Sequence, residues 1–557
     1  MREGFAVVAG IVIVTVLVSS YNHRARRKWR QEKMLASFGK KPEEADISFE
    51  QIRILWEKTK EENGLDDITW NDLDMDTVFG RINTCVSWAG EQYLYKSMRD
   101  MDADPERLAS LEEKITWFGH HEKERQEMQL CLSELGKRED SYYVPDFVTE
   151  PEAFELEHAW LYRGLQVLLL ASLLWGIAGG LLFMNARMFS PFIILFLVNM
   201  CVYALKRSRY EINLAIIAAV QSLVSLAGKF AENEKICQGK SRESFKETKK
   251  TAAKLNKVLK VLRKRQQSQY STDVTELISV YVKGAFLVDF VHYNRALKEI
   301  KSHRKEVLQI LFLVGELDMA VCAASFRQSL PLWCIPEFTE EKEIVLKALY
   351  NPLIDEPVYN DLELRKGCII TGSNASGKST FIKAAAISAA LTVSIHTCAA
   401  ASARLCPVDV YTSIAIRDDL LAGESYFIKE IRSMERIIRQ VDTGRPVLAV
   451  IDEILRGTNT RERIAASTAV LRYLREKGCL VIAATHDLEI AENLVSQTED
   501  YEGFYFCEET YEKGLIFDYK IHPGICRQTN AVRLLEVFGF PEQIIRDARK
   551  SLDTERR

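Results

Sequence analysis

Cys368-Ile369-Ile370-Thr371-Gly372-Ser373-Asn374-Ala375-Ser376-Gly377-Lys378-Ser379-Thr380 decides the reading of this chain. The first four residues read as a short apolar strand, and the alanine-rich run after Thr380 reads as a helix. Between them lies G-x-x-x-x-G-K-S, in the strand–loop–helix context that a phosphate-binding loop requires. Two glycines let the backbone fold around phosphate oxygens. The loop amides and the helix N-terminus supply positive potential. Lys378 is placed to reach the β- and γ-phosphates of a nucleotide, and the Ser379 hydroxyl to bind Mg²⁺. Gly372, Ser373, Asn374, Ala375, Ser376, Gly377, Lys378, Ser379 and Thr380 are therefore candidate ATP-binding residues.

Two further strands complete the pattern. Val447-Leu448-Ala449-Val450-Ile451-Asp452-Glu453 ends in paired carboxylates. Asp452 suits the Mg²⁺ shell, and Glu453 suits the orientation and deprotonation of an attacking water. Val481-Ile482-Ala483-Ala484-Thr485-His486-Asp487 is another apolar strand, ending in a histidine. A lone histidine is usually structural. Here, after a phosphate loop and an Asp-Glu pair, His486 resembles the γ-phosphate switch of ABC-type ATPases. Lys378, Glu453 and His486 are the candidate catalytic residues.

The surrounding residues resemble one family. Thr371 to Thr380 is similar to the MutS pattern T-G-x-N-x-x-G-K-S-T, and Asp452 to Thr460 to its D-E-x-x-R-G-T-s-T run. Ala484-Thr485-His486 matches its A-T-H, and Arg417 to Phe427 resembles its D-D-L-x-x-G-x-S-t-F signature. Asn530 to Pro541 resembles the stretch where MutS proteins carry A-x-l-A-G-l-P. Order and spacing agree over about Tyr350 to Arg549. A weaker likeness to the opening of the MutS core falls on Ser87, Gly90 and Leu94, then on Asp104 and Leu108.

The resemblance implies an α/β P-loop ABC-type ATPase domain after an all-α, core- and lever-like region. It implies Mg²⁺-dependent ATP hydrolysis in a composite site between two facing ATPase domains, hence a homodimer. In that arrangement Ser425, with Gly423, acts in trans on the γ-phosphate, and Asn459 lies in a loop that crosses the dimer. Tyr359 and His522 fall where the adenine would be held. A mismatch-reading domain with its Phe-x-Glu wedge is not recognisable, nor is a DNA clamp within the lever helices.

Apolar content is concentrated in three further segments. Gly4 to Val18 is uncharged and followed by His23-Arg24-Ala25-Arg26-Arg27-Lys28, the order of an uncleaved anchor rather than a signal peptide. Leu165 to Phe183 and Phe189 to Leu205 form a pair of spanning length, joined by a link with one charge, Arg187. A buried soluble hairpin and a hairpin dipping into one leaflet are the alternatives. Gly176, Gly179 and Gly180 suit tight helix packing in lipid. The positive charges give one orientation: a cell-membrane protein with about three spans, membrane lipid as a partner, and the ATPase domain in the cytoplasm.

The expected organisation is an anchor over residues 1–22, a cytosolic helical region over 23–163 and a transmembrane helical hairpin over 164–206. A long-helix region over 207–345, the ATPase domain over 346–549 and a tail over 550–557 follow. In the helical parts, Phe79, Ile82, Val86, Trp88 and Tyr93 recur at helical spacing, as do Leu108, Leu111 and Ile115 behind Asp104-Pro105. Lys246 to Arg265 reads as an amphipathic helix with Leu255, Val258, Leu259 and Leu262 buried. Thr275 to Leu313 reads as one long helix.

The chain has 557 residues and is 47% hydrophobic and 27% charged, a globular composition. A net charge of −4 excludes a uniformly basic nucleic-acid coat but not a local basic face. Lys250, Lys254 and Lys257 are the candidate DNA contacts, although such a face is more often merely solvated. The 12 cysteines include no C-x-x-C pair, so neither a zinc ribbon nor a disulfide scaffold is expected. Cys85, Cys322 and Cys479 read as core thiols. Two functions remain: a membrane-anchored MutS-like ATPase coupled to DNA, or an ATP-driven membrane switch or scaffold that does not bind DNA.

Overall fold

The computed structural model describes all residues except 1–24, 26–27, 44–46, 61–63, 184–185, 233–238, 264–283, 374–375, 415–425, 512–513, 526–531, 533–534, 537 and 556–557. The N-terminal apolar segment, Asn374, Ala375, Gly423 and Ser425 lie outside the described residues. The chain forms two compact units that interleave in sequence. One comprises the described residues up to Lys60, Ile82–Lys96 and Ala109–Gln328. The other comprises described residues within Glu61–Arg81, Ser97–Leu108 and Ser329–Arg557.

The first unit is largely helical. A buried polar cluster explains the Ser87, Gly90, Leu94 spacing. Ser87 precedes helix Trp88–Asp100 and its Oγ accepts from the Gly90 amide at 3.1 Å, an N-cap bond. Asp318 is buried on helix Arg304–Ser329 and accepts from the Val86 amide (3.2 Å), the Ser87 amide (2.8 Å) and Ser87 Oγ (2.5 Å). A carboxylate thus faces a helix N-terminus, where backbone donors lack intrahelical partners. A Cβ on residue 90 would sit 2.3 Å from Asp318 Oδ2, so only glycine admits the carboxylate. Asp104 caps helix Pro105–His120, as expected, by accepting from the Arg107 amide at 3.0 Å.

Among the described residues four helices are long and apolar enough to cross a membrane: Pro151–Leu182, Arg187–Lys206, Tyr210–Glu232 and Arg304–Ser329. They are not equivalent. Only 22% and 11% of the first two are buried inside the protein, against 67% and 72% of the last two. Leu168, Leu174, Trp175, Leu181, Ile194 and Leu197 point outward from the first pair. Ile217, Val220, Leu223 and Leu226 are buried in the third.

The second helix of the hairpin continues past Leu205. Helix Ser190–Glu232 runs unbroken for 43 residues, about 65 Å at 1.5 Å per residue. Lys206, Arg207 and Arg209 are good helix formers, and no Gly or Pro interrupts the backbone there. The glycines of helix Ala159–Phe183 accommodate a turn. A Cβ on Gly176 would meet the Phe189 ring at 2.8 Å, and one on Gly179 would meet Met188 at 2.9 Å.

Helix Gly239–Arg263 is amphipathic as read, with Leu255 and Leu259 buried and Lys250, Lys254 and Lys257 exposed. It packs on the long helix through Asn256, whose Oδ1 accepts from Ser225 (2.8 Å) and Gln221 (3.1 Å), and through Phe230 against Phe245. The single long helix expected over Thr275 to Leu313 is not present in its described part. Leu287 is left-handed (φ 48°) before helix Val288–Ser302, and His303 (φ −128°) separates that helix from Arg304–Ser329. Periodicity persists across such breaks because both helices bury one face.

The second unit is mixed α/β. Its larger sheet has the order β10-β9-β4-β8-β7-β6, with β4 Gly367–Thr371, β6 Asp409–Ser413, β7 Val447–Asp452, β8 Leu480–Ala484, β9 Tyr501–Tyr511 and β10 Gly514–Pro523. Strands β9, β4, β8, β7 and β6 are parallel, and β10 runs antiparallel to β9. The runs of β4 and β8 are buried throughout, as parallel strands covered on both faces require. A smaller sheet has the order β1-β5-β2-β3, with β1 Glu337–Phe338, β2 Ile344–Leu349, β3 Asn360–Leu364 and β5 Ser402–Leu405.

An N-terminal piece belongs to this unit. Asp72, on helix Asp67–Asp72, is buried and accepts from Thr412 Oγ1 (2.7 Å) and the Ile414 amide (2.9 Å) at the β6 edge. Arg436 pairs with Asp66 and also donates to the Thr412 carbonyl.

Candidate nucleotide site

Strand register assembles the site. Ile370 pairs with Ala484, and Ala484 pairs with Asp452, so β4, β8 and β7 end in one row. The residues just beyond are the glycine-rich loop, Thr485-His486 and Glu453. The Thr485 amide donates to the Ile370 carbonyl and the Glu453 amide to the Ala484 carbonyl, both at 2.9 Å, which extends the row by one residue. Ligand crevices in open α/β sheets lie at such carboxyl ends.

The glycines of the loop are required by close approach. Gly372 has φ 138°, and a Cβ there would lie 2.7 Å from the Phe506 carbonyl oxygen. Gly377 has φ 102° and precedes helix Lys378–Ser394. Lys378 is only 1% exposed and donates to the Gly372 and Ser373 carbonyl oxygens. Its ammonium is thereby held in the curve of the loop. Ser376 is buried and donates to the Ser373 carbonyl at 2.7 Å.

Ser379 Oγ donates to Asp452 Oδ2 at 2.5 Å. A hydroxyl and a carboxylate brought together at a phosphate loop fit Mg²⁺, which takes one or two protein oxygens and completes its shell with phosphates and water. Among the described residues no group of three or more His, Cys, Asp and Glu forms a closed metal cage. The hydroxyl–carboxylate donor set fits a nucleotide-bound magnesium.

Glu453 and His486 meet. His486 Nδ1 lies 3.1 Å from the Gly372 carbonyl oxygen, and Nε2 contacts the Glu453 carboxylate. A carbonyl and a carboxylate oxygen can only accept, so both ring nitrogens of His486 face acceptors. Arg456 contacts the same carboxylate. Burial alone would raise the Glu453 carboxyl, but the hydrogen bonds from His486 and Arg456 outweigh it and hold it below the usual glutamate range. Glu453 also sits at φ 62°, a strained conformation for a residue with a Cβ, of the kind that clusters at functional sites.

Residues 368–555 match the family described as MutS domain V. A stretch of 267 residues, 45% of this chain, is 30% identical to the DNA mismatch repair protein MutS of Aquifex pyrophilus. Residues 368–555 are MutS-related. The match spans 30% of that MutS protein, less than a third of its length.

The MutS domain V match begins at Cys368 and takes in the three strand ends that meet. The other expected MutS positions are distributed as follows. Asn459 caps helix Thr460–Glu476, its side chain accepting from the Glu462 amide at 3.0 Å. Tyr359 is 37% exposed, packs edge-on against Tyr350, and its carbonyl accepts from Lys520. His522 stacks on Tyr505 and pairs with Asp518 at 2.8 Å. The neighbouring Asn360 side chain bonds the Ile521 amide and the Tyr519 carbonyl, both at 2.9 Å, so β3 and β10 are joined at this level. A Cβ on Gly377 would meet the Tyr519 ring at 3.1 Å, which puts this aromatic edge against the MutS-like loop.

Several supporting residues escaped the sequence reading. Glu430 is buried on helix Tyr426–Val441 and accepts from the Arg456 (3.0 Å) and Gly457 (3.2 Å) amides, fixing the loop after Glu453. Arg463 forms a two-pronged bond with Asp487 at 2.7 and 2.9 Å, next to His486. No local pattern marks either.

Proposed function

We propose that the chain is a membrane-anchored, MutS-type ATPase that binds ATP with Mg²⁺ and hydrolyses it. The observation that carries this is the junction of Lys378, Ser379, Asp452, Glu453 and His486 at three adjacent strand ends. Loop amides and Lys378 bind the phosphates. Ser379 and Asp452 hold the magnesium, which supplies charge neutralisation at the transferring phosphoryl group. Glu453, kept ionised by His486 and Arg456, orients the attacking water and takes its proton. By the MutS relationship the site is completed in a homodimer, with Ser425 and Gly423 of one copy reaching the nucleotide of the other and Asn459 near the crossing. Tyr359 and His522 then border the adenine.

Membrane insertion is supported by the outward apolar faces of Ala159–Phe183 and the first part of Ser190–Glu232. Trp160 and Arg163, both exposed, stand at the start of the first of these helices, as interfacial anchors do. Helices Tyr210–Glu232 and Arg304–Ser329 are read instead as cores of the cytoplasmic part, since most of their apolar surface is already covered by protein.

Coupling to DNA is supported by the MutS relationship and by the exposed lysines of Gly239–Arg263. A membrane switch without DNA is supported by the exposed apolar hairpin. Nanodisc-held protein, assayed for phosphate release with and without duplex, mismatched and branched DNA, tests both readings. Stimulation that fades with salt and is lost when Lys250, Lys254 and Lys257 become Glu supports DNA coupling. Hydrolysis indifferent to every DNA supports the switch. Absence of hydrolysis beyond that of Glu453→Gln overturns the ATPase reading.

A further inference from the structure

Two cysteines that no nucleotide chemistry uses face each other in the second unit. Cys334 and Cys398 form an isolated antiparallel bridge. The Cys334 amide donates to the Cys398 carbonyl at 3.1 Å, and the Cys398 amide donates back to the Cys334 carbonyl at 3.0 Å. Two residues that exchange both backbone bonds lie directly opposite, with α-carbons about 5.5 Å apart, inside the range that a disulfide spans. Both side chains then project from the same face, and the Cys398 thiol is hydrogen-bonded to the sulfur of Cys334.

The two thiols differ in access. Cys398 is fully buried, and Cys334 is partly exposed between the exposed side chains of Trp333 and Ile335. A second facing pair, Cys85 and Cys322 in the first unit, is buried at both members. Cys322 there also donates to the Ile82 carbonyl at 3.0 Å. Among the described residues, one facing thiol pair is thus open to a small oxidant and one is closed.

We propose that Cys334 and Cys398 are a redox modification site, a dithiol that hydrogen peroxide converts reversibly to a disulfide. Peroxide oxidises the accessible Cys334 thiol to sulfenic acid and releases one water. The Cys398 thiol attacks that sulfur, the sulfur–sulfur bond forms and a second water leaves. Two thiols lose two electrons and two protons in all, and the peroxide oxygens are reduced to water. Cys334 leaves one sulfur of the link partly exposed, open to attack by a reducing dithiol. The link ties the segment before β1 to the loop four residues beyond helix Lys378–Ser394, where Tyr350 already bonds the Ala399 and Leu332 carbonyls. It does not depend on the nucleotide reading.

The test uses the full chain, reduced, freed of reductant and treated with hydrogen peroxide. After denaturation the thiol count is expected to fall from 12 to 10. Non-reducing peptide mapping should then find the Cys334 peptide joined to the Cys398 peptide, and dithiothreitol should restore all thiols. In Cys398→Ser the reaction should stop at a sulfenic acid on Cys334, trapped by dimedone. Peptide maps of the unsubstituted chain that show both cysteines still reduced, Cys334 over-oxidised without a link, or Cys85 joined to Cys322 in preference, would overturn the proposal.

Discussion

Ser379 Oγ lies 2.5 Å from Asp452 Oδ2, although 73 positions separate them in the chain. The contact follows from strand order. β8 sits between β4 and β7, and the shared row Ile370–Ala484–Asp452 brings the loop after β4 level with the end of β7. A hydroxyl one residue into a helix and a carboxylate at a strand end then face one point, where a magnesium–phosphate complex fits.

Removing the Glu453 carboxylate should separate binding from chemistry. Glu453→Gln keeps the size and leaves Lys378, Ser379 and Asp452 in place. ATP binding should persist while phosphate release falls by about a hundredfold or more, the contribution of a positioned general base. Equal loss of binding and turnover would show that Glu453 acts through the fold of the loop instead.

The pH profile should report the Glu453–His486 contact. The carboxyl is held below the usual glutamate range, so it stays ionised as pH falls until its own lowered value is reached. The acid limb of kcat/KM should therefore lie below the ordinary glutamate value. His486→Ala removes one of the donors that oppose burial, so the limb should shift upward. An acid limb that does not move would place His486 outside the proton chemistry.

Asp318 gives a stability test with the opposite sign. Burial raises its carboxyl to about 6 despite the hydrogen bonds from Ser87 and Val86. The folded value stands above the unfolded one of about 3.9. Its contribution to stability is therefore full below about pH 4 and is lost as pH rises through about 6. Melting midpoints of Asp318→Asn should depend less on pH across that window than those of the parent chain.

Gly90→Ala should destabilise the first unit. The new methyl would meet Asp318 Oδ2 at 2.3 Å, and overpacking of this kind costs about 1–3 kcal/mol. A drop in melting temperature larger than that of Gly228→Ala, where a Cβ meets nothing within 4 Å, is the expected result.

The membrane reading makes a spatial prediction. Leu174→Arg puts a charge on the outward face of Ala159–Phe183, at a cost of about 3 kcal/mol in a spanning helix. Alkaline carbonate should then release more of the protein from membranes. If the parent chain is itself released, the hairpin does not span.

The motif residues were legible because each motif is local. A strand, a glycine turn and a helix start lie within thirteen residues and encode their own geometry, and strand register brings Lys378, Ser379, Asp452, Glu453 and His486 to neighbouring strand ends. The supporting residues were less legible. Glu430 bonds the amides of Arg456 and Gly457 from a helix about 26 positions upstream, and no spacing rule connects them. Helix breaks at Leu287 and His303 were also hidden, because apolar periodicity continues across a kink when both sides bury the same face.

The sequence by itself determined which residue types stand at the strand ends and how apolar each helical segment is. Both depend only on local stretches of chain. Only the tertiary structure decided which apolar runs are covered. Tyr210–Glu232 and Arg304–Ser329 are packed against other helices, whereas Ala159–Phe183 and the start of Ser190–Glu232 are left bare. It likewise decided that Asp72 joins the edge of β6 and that Asp66 pairs with Arg436, each more than 300 positions away. Hydropathy is a property of the residue, but burial depends on which distant surface is complementary to it. That surface exists only once the chain has folded.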